Sequence, residues 1–413
     1  MRPACSQEDS ATHGSPIEEP APATVAEAFI ERAGRPQWQS RLASLRAAPG
    51  GSQAGRAMLR RYAAELTIER LRQVSGPAPL SPGERALLGL AAMTERLFGT
   101  LAEPGRVRLE AMLQEAMAEG GTLIPLFHLL RTAGLQASRG FAVRFAGLEQ
   151  GAPFDLLLSR NGVEAELACE VVSAEDGRNV HRGAWFQLVD RIDPELQTWL
   201  AAHPGRYLLK MTLPRGLRED GGPATLADLH GRISALLADR RRSDQDEAAV
   251  LRLDPLLLVA AQADELGLMS RLRREFGPEA HLAVTSAGQG IFVMAARAGQ
   301  ENDVAAAVRR RMEAIAPVRL TGTRPGILAM FVEDTDRAEW QGLRERLELE
   351  GETRQFLTSA DARPVVAVSC ASRLELFDLP VPEAAPEGEL RFRNPAHPAA
   401  RVEALAPSIL SSN

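Results

Sequence analysis

The spacing of apolar residues predicts that the folded part of the chain begins with helices. From about 55 to 133, large apolar side chains recur every three or four residues, which is the period of helices that bury one face. The residues before them mix proline, serine, glycine, glutamate and alanine with few large apolar side chains. Such a composition buries too little surface to offset the entropy of ordering, so it predicts a mobile N-terminal tail.

The period changes to that of β-strands near residue 141. FAVRF (141–145) and FDLLLSR (154–160) are short apolar runs, and VEAELACEVVS (163–173) alternates apolar with acidic residues. The dipeptide Asn161-Gly162, between the second and third runs, is typical of a two-residue β-hairpin turn. We therefore expect three strands, of which the last two form a hairpin.

Helices and strands alternate over the rest of the chain. A helix from about 181 to 202 and a strand over RYLLKMTL (206–213) complete the order helix, three strands, helix, strand. The alternation that follows includes predicted helices near 263–275 and 336–348. It is typical of an α/β protein, and it either extends the first sheet or forms a second domain. The expected segments are a disordered tail over 1–50, a helical region over 55–104, an α/β core over 105–215, an α/β extension or second domain over 225–378, and an irregular C-terminal tail over 380–413.

Composition and charge narrow the classes of function. The 413 residues carry a formal net charge of -6, which argues against a polyanion-binding surface over the whole chain but leaves room for a local basic patch. Cys5, Cys169 and Cys370 form no C-x-x-C pair, which argues against a disulfide framework and a structural zinc site. No apolar stretch reaches the roughly 20 residues of a membrane span. We expect a cytoplasmic protein without a membrane partner.

The predicted hairpin brings acidic residues together on one face of the sheet. Its register places Asp155 opposite Ala168, so Glu166 and Glu170 are the diagonal neighbours of Asp155, about 7 to 8 Å away. Glu164 continues the row. Because like charges repel unless a cation or a proton offsets them, the pattern indicates a hard divalent ion such as Mg²⁺ bound by carboxylate oxygens. The alternative is a solvated sheet face on which glutamate is simply a common exposed residue.

These residues and the order of elements resemble the PD-(D/E)XK nuclease superfamily over the predicted core. Pro153 and Asp155 match the family's Pro-Asp pair, and AELACEVVSAEDGRNVHR (165–182) is similar to family sequences in which the (D/E)-x-K triplet precedes a serine, a Gly-Arg pair and a histidine. The resemblance implies a restriction-endonuclease-like αβββαβ core. It also implies that Asp155, Glu166 and Glu170 bind Mg²⁺ or Mn²⁺ and act in the hydrolysis of DNA phosphodiester bonds.

The sequence departs from the family at the triplet itself. Aligning on the serine, the Gly-Arg pair and the histidine places the triplet at Ala168-Cys169-Glu170, so alanine stands for the acid and glutamate for the lysine. Glu166, one pleat away on the same face, is the candidate replacement for the missing acid. Lys210, the only lysine of the chain, lies on the next predicted strand and is a candidate for the missing cation; the alternative is that Lys210 is solvated.

Basic residues after the third strand are candidates for substrate binding. Arg178, His181 and Arg182 lie at or before the start of the next predicted helix, where a phosphate would also meet free backbone N–H groups. The alternative is that Arg178 and His181 fix the helix to the strand without contacting a substrate.

Three functions are compatible with these patterns. The first is a Mg²⁺-dependent DNA phosphodiesterase with rearranged carboxylates; Asp155, the Gly-Arg pair and His181 favour it. The second is a nuclease fold that no longer cuts and binds nucleic acid or protein instead; Ala168 and the missing lysine favour it. The third is an α/β enzyme unrelated to nucleases, which predicts that Asp155 binds no metal.

Overall fold

The protein is an α/β structure with two mixed β-sheets. The computed structural model describes residues 21–47, 52–74, 79–218, 222–256, 271–272, 274–277, 280–372 and 389–411. Within these residues, no helix is long and apolar enough to cross a membrane.

The strands lie between residues 142 and 393. They are β1 (Ala142–Arg144), β2 (Leu156–Arg160), β3 (Val163–Ser173), β4 (Arg206–Leu213), β5 (Ser243–Gln245), β6 (Val250–Pro255), β7 (His281–Ala287), β8 (Gly290–Ala298), β9 (Gly326–Glu333), β10 (Val365–Ser372) and β11 (Leu390–Arg393).

Helices precede the strands and connect them. They are α1 (Pro22–Ala33), α2 (Arg35–Ala47), α3 (Gln53–Arg61), α4 (Ala63–Arg72), α5 (Pro82–Thr100), α6 (Glu103–Met117), α7 (Ile124–Ser138), α8 (Ala146–Gln150), α9 (Arg182–Ala202), α10 (Gly222–Ala238), α11 (Val304–Arg319), α12 (Arg337–Glu345), α13 (Glu348–Leu357) and α14 (Ala406–Ile409). Short 3₁₀ turns cover Ala174–Gly177, Pro398–Arg401 and Glu403–Leu405.

The first sheet has six strands in the order β1-β2-β3-β9-β10-β11. The pairs β3–β9 and β9–β10 are parallel, and the other three pairs are antiparallel. Every residue of β9 and β10 is buried, as their almost wholly apolar sequences predict for central strands covered on both faces. Helix α7 packs on one face, and α11, α12 and α13 pack on the other.

The predicted hairpin is confirmed. Asn161 and Gly162 have φ values of 50° and 78°, the left-handed conformation that a tight hairpin turn requires at both central positions. Arg160 pairs with Val163, and Leu156 pairs with Leu167. Because side chains alternate between faces along a strand, this register places Glu164, Glu166, Ala168 and Glu170 on one face, as the sequence predicts.

The predicted place of the fourth core strand is wrong. β4 pairs with β6 and β8 in a second sheet of five strands, ordered β5-β6-β4-β8-β7, and β9 takes the position beside β3. The elements from α9 to β8 are therefore inserted into the first sheet's connectivity. The apolar pattern of RYLLKMTL identifies a strand, but a strand pattern carries no information about which sheet the strand joins.

The inserted unit has its own core. Helices α9 and α10 cover one face of the second sheet and bury Trp185, Leu188 and Ile192 against strand residues such as Phe292. On the opposite face Leu208, Val293 and Leu272 are buried together. The predicted helix near 263–275 lies mostly outside the described residues.

The predicted N-terminal tail is wrong for residues 22–47, which form α1 and α2. Phe29, Ile30 and Trp38 are completely or almost completely buried. The ring centroids of Phe29 and Phe127 lie 5.8 Å apart, and the Trp38 indole N–H donates to Glu69 at 3.2 Å. Average composition conceals this packing because a few large apolar side chains at helical spacing are enough to anchor two short helices.

The predicted irregular C-terminal tail is corrected in the same way. β11 pairs antiparallel with β10, and Leu405 and Ile409 are buried in the core beneath the first sheet. Residues 336–348, predicted as one helix, contain α12 and the first residue of α13, which are separated at Leu347 with φ 56°.

A buried histidine makes the fold sensitive to acid. His128 on α7 is 2% exposed, and its Nε2 lies 2.8 Å from the Ala329 carbonyl oxygen, while its Nδ1 has no partner among the described residues. Burial lowers the pKa of His128 to about 4, because the low-dielectric interior disfavours the imidazolium.

We expect the free energy of unfolding to decrease as the pH falls, because protonation of His128 favours the unfolded state. Its folded-state pKa lies below the unfolded value of 6.5. The part of the stability that depends on neutral His128 is therefore fully present above pH 6.5 and is lost as the pH falls toward 4. The difference of pKa corresponds to roughly 3 kcal/mol. Denaturant unfolding between pH 7 and 4 should show this loss in the wild type and a smaller loss in His128→Gln. Equal pH dependence of the two proteins would contradict the expectation.

Candidate functional site

Asp155 and Glu170 are brought together by an arginine from α11. Asp155 lies just before β2, and its Oδ2 accepts hydrogen bonds from the Cys169 backbone N–H at 2.7 Å and from Arg319 Nη2 at 2.7 Å. Glu170, on β3, lies 3.3 Å from Arg319 Nη1 through its Oε2. One guanidinium therefore bridges the two carboxylates that the sequence places on this face.

A second arginine of α11 completes the pairing of Glu170. Arg311 donates through Nε to Glu170 Oε1 at 2.9 Å, and its Nη2 bonds the same oxygen. Arg319 is held in place from its other side, because its Nε donates to the Pro153 carbonyl oxygen at 2.6 Å. Both oxygens of Glu170 are therefore paired with arginine side chains of α11.

Glu166 does not join these carboxylates. Its side chain is completely buried and accepts hydrogen bonds from the Thr321 backbone N–H at 2.8 Å and from the Thr321 hydroxyl. Arg324 lies 3.7 Å from Glu166 and 2.8 Å from Glu164. The predicted three-carboxylate cluster is therefore corrected to one guanidinium-bridged pair and one separate, buried glutamate. Glu166 is separate because Thr321, in the α11–β9 loop, binds its carboxylate.

Burial is the largest influence on the pKa of Asp155. It raises the pKa of Asp155 above its ordinary value, and Arg319 and the Cys169 N–H offset this only in part. Burial also raises the pKa of the Cys169 thiol well above its usual value, which favours the protonated thiol over the nucleophilic thiolate.

The carboxylates of Asp155, Glu166 and Glu170 do not fit a divalent metal ion in the observed arrangement. A hard cation such as Mg²⁺ requires several oxygen ligands that are open to it. Here Asp155 Oδ2 and Glu170 Oε2 pair with Arg319, Glu170 Oε1 pairs with Arg311, and Glu166 is bonded to Thr321. Across the described ranges, no group of three or more His, Cys, Asp or Glu side chains is placed to hold a metal. The guanidinium of Arg319 takes the position where a shared cation would lie.

Arg178 forms a buried ion-pair network instead of a phosphate site. It is 3% exposed, and its three guanidinium nitrogens bond to Glu175, to both oxygens of Glu339 and to the Asp334 carbonyl oxygen at 2.9 Å. Burial lowers the pKa of Arg178, but Glu339 and Glu175 outweigh it and raise the pKa above its ordinary value. A substrate phosphate does not reach this side chain in the observed structure.

Arg182 belongs to the same network, which we call the Arg178 clasp. Its Nη1 donates to the Asp334 carbonyl oxygen at 2.9 Å, and its Nη2 bonds Asp336 at 3.1 Å and Glu339 at 2.9 Å. The clasp consists of Arg178, Arg182, Glu175, Asp334, Asp336 and Glu339. It joins the start of α9, in the inserted unit, to the β9–α12 loop of the first sheet.

The start of α9 is likewise closed to an anion. The Arg182 backbone N–H donates to Glu175 at 3.0 Å, so a carboxylate of the chain already occupies the helix N-terminus. His181 immediately precedes the helix, and its backbone N–H donates to the Leu217 carbonyl oxygen at 2.7 Å. The side chain of Arg178 and the backbone of His181 thus fix the start of α9 to neighbouring segments, which agrees with the alternative interpretation of these two residues.

Gly177 of the Gly-Arg pair has a packing role. A side chain there would meet the backbone of Asp303 and Val304 at 2.4 to 2.6 Å, and the Asp303 N–H donates to the Gly177 carbonyl oxygen at 2.7 Å. Only glycine allows the start of α11 to approach this closely. Lys210 lies on β4 in the second sheet and pairs with Asp254 at 3.3 Å, so it does not replace the missing cation.

Sequence reasoning missed the arginines that pair with the carboxylates. The run Arg309–Arg311 is visible in the sequence, but nothing local links Arg311 to Glu170, which is 141 positions away. Arg319 is equally remote from Asp155, at a separation of 164. Comparisons with protein-family models, with curated proteins and with solved structures give no match for this chain.

Proposed function

We propose that the chain is a non-catalytic binding module built on a restriction-endonuclease-like core, with nucleic acid or protein as its partner. The observation that supports it is the Arg319 guanidinium between Asp155 and Glu170, with Arg311 on the far side of Glu170. The charges that a nuclease would neutralise with a metal ion are neutralised here by the chain's own side chains.

The connectivity of the first sheet supports the core. Helix α7, the strands β1, β2 and β3, helix α11 and strand β9 follow the order helix, three strands, helix, strand, if the short helix α8 and the unit from α9 to β8 are treated as insertions. β3 and β9 are parallel neighbours, and α11 packs on one face of the sheet that they form. This assigns the last two elements of an αβββαβ core to α11 and β9 instead of α9 and β4.

The first test is calorimetric titration of Mg²⁺ and Mn²⁺ into the wild type. We expect no saturable binding and no cutting of supercoiled or single-stranded DNA, because Arg319 and Arg311 occupy the carboxylates. Asp155→Ala is the matched control and should behave as the wild type does. Saturable binding that disappears in Asp155→Ala, together with metal-dependent cutting, would overturn the proposal.

That opposite result would support the second candidate, a Mg²⁺- or Mn²⁺-dependent DNA phosphodiesterase. One observation favours it: Asp155 and Glu170 converge on a single cationic group, so their spacing suits a shared cation. For this function Arg319 must first leave the pair. The departure of the triplet from (D/E)-x-K, at Ala168 and Glu170, weighs against it.

A further inference from the structure

One edge of the second sheet lacks the features that usually protect a sheet edge. Among the described strands, β1, β11, β5 and β7 lie at the edges of the two sheets. β1 and β5 have three residues each, and β11 has four, of which two are arginines. Short length and charge are common means by which proteins prevent an edge from pairing with another chain. β7 has seven residues without lysine, arginine, aspartate, glutamate or proline, so neither means protects it.

The hairpin of β7 and β8 determines which backbone groups of β7 face its free edge. Gly288 and Gln289 join the two strands, and Ala287 pairs with Gly290, so this closing pair exchanges hydrogen bonds within the hairpin. In an antiparallel pair every second residue bonds in this way, and the residues between them direct their N–H and C=O groups outward. The outward-facing residues of β7 are Leu282, Val284 and Ser286.

A contact on the far side of β8 supports this assignment. Ile291 is paired opposite Ser286, and its N–H donates to the Gly205 carbonyl oxygen at 2.9 Å, away from β7. Helix α9 lies over one face of β7, where the Thr285 hydroxyl donates to Asp193 at 2.6 Å. No described strand pairs with β7 on the side opposite β8. The backbone groups of this edge are therefore placed to form a further ladder.

We infer that β7 pairs antiparallel with β7 of a second copy of this chain, about a two-fold axis at Val284. Such an axis places Val284 opposite Val284 of the partner subunit and Leu282 opposite Ser286 of the partner subunit. Every outward-facing residue then meets another outward-facing residue, and the ladder gains about six backbone hydrogen bonds. None of these side chains is charged, so no like charges lie opposite each other.

The surroundings of the edge favour a second copy over an unrelated peptide. Domains that bind a foreign strand gain specificity from pockets for its alternate side chains. The two best-formed cavities of the described residues lie elsewhere, one beside the β2–β3 turn and one between α10 and β5. Leu282 and Val284 are instead half-buried in an apolar cluster on one face of the sheet, and the two-fold axis joins this cluster to its own copy.

The inferred dimer is independent of the carboxylate pair. The edge belongs to the second sheet, whereas Asp155 and Glu170 belong to the first, so the inference goes beyond the proposed function of that site. Its test requires neither metal nor nucleic acid.

The test compares two lysine substitutions at opposite edges of the same sheet. Ser286→Lys places a charge beside the proposed axis, and Ser243→Lys, on β5, is the matched control because both serines are exposed on edge strands. Val284→Pro removes an outward-facing N–H and breaks no hydrogen bond between β7 and β8. Sedimentation equilibrium over a range of protein concentrations measures the dissociation constant of each dimer, and thermal unfolding monitors the folding of each variant.

We expect the wild type and Ser243→Lys to dimerise with a micromolar Kd, because one strand edge buries less surface than a permanent interface does. Val284→Pro removes one bond from each subunit and should dimerise at least about tenfold more weakly. Ser286→Lys should weaken the dimer similarly, since pairing removes water from the lysine. Hydrogen exchange of residues 281–287, measured by mass spectrometry, should slow as the wild-type concentration rises.

Three results would overturn the inference. They are a wild type that stays monomeric into the high micromolar range, equal dissociation constants for Ser286→Lys and Ser243→Lys, and a dimer whose formation leaves hydrogen exchange in β7 unchanged. If Val284→Pro does not fold, the comparison of the two lysine variants decides.

Discussion

Arg178→Ala is expected to destabilise the protein by about 3 to 5 kcal/mol, because it breaks a buried ion-pair network and leaves Glu175 and Glu339 with the bonds from Arg182 alone. The side chain of Arg178 is 2% exposed and bonds Glu175 and Glu339, whose side chains are 19% and 16% exposed. Burial already raises the pKa of Glu175, and loss of Arg178 removes the strongest opposing charge. Urea unfolding of wild type and variant measures the difference.

A matched control separates burial from charge in this prediction. Arg310 is 53% exposed and lies 3.6 Å from Asp303, so Arg310→Ala removes an exposed ion pair and should change stability by less than about 1 kcal/mol. Arg178→Lys should recover only part of the loss, since one ammonium cannot replace three guanidinium nitrogens bonded to four oxygen atoms. Similar stabilities of Arg178→Ala and Arg310→Ala would show that the clasp contributes no more than a surface ion pair.

Arg319→Gln is expected to give the protein a divalent-cation affinity that the wild type lacks, on the order of millimolar. Removal of the bridging guanidinium leaves Asp155 and Glu170 facing each other without a shared cation, and like carboxylates then take up either a metal ion or a proton. Because burial raises the pKa of Asp155, the titration is made near pH 8, where a proton competes less.

Two further variants decide whether the new affinity belongs to this pair. Arg311→Gln/Arg319→Gln also frees the other oxygen of Glu170 and should bind Mn²⁺ more tightly than the single variant does. Asp155→Asn/Arg319→Gln should not bind. If Arg319→Gln folds but takes up no metal at this pH, the guanidinium does not occupy a potential metal site. The geometric argument that Asp155 and Glu170 suit a shared metal ion then fails.

Local chemistry determined much of the fold. The turn dipeptide Asn161-Gly162 requires only its own two residues to adopt positive φ, and the register of β2 and β3 follows from it. The alternation along β3 likewise places Glu166 and Glu170 on one face without reference to any other element. The sequence by itself therefore determined the hairpin and the acidic face that it presents.

The tertiary structure determined which side chains contact that acidic face. Arg311 and Arg319 reach Glu170 because β9 lies beside β3, and β9 follows an inserted unit that begins with α9 and ends with β8. The same topology moves β4 to another sheet and joins Arg178 to Glu339, 161 positions away. Such pairings depend on which elements pack together in space. Periodicity and turn chemistry, being local, carry no record of them, so the cation at the carboxylates was decided only by the tertiary structure.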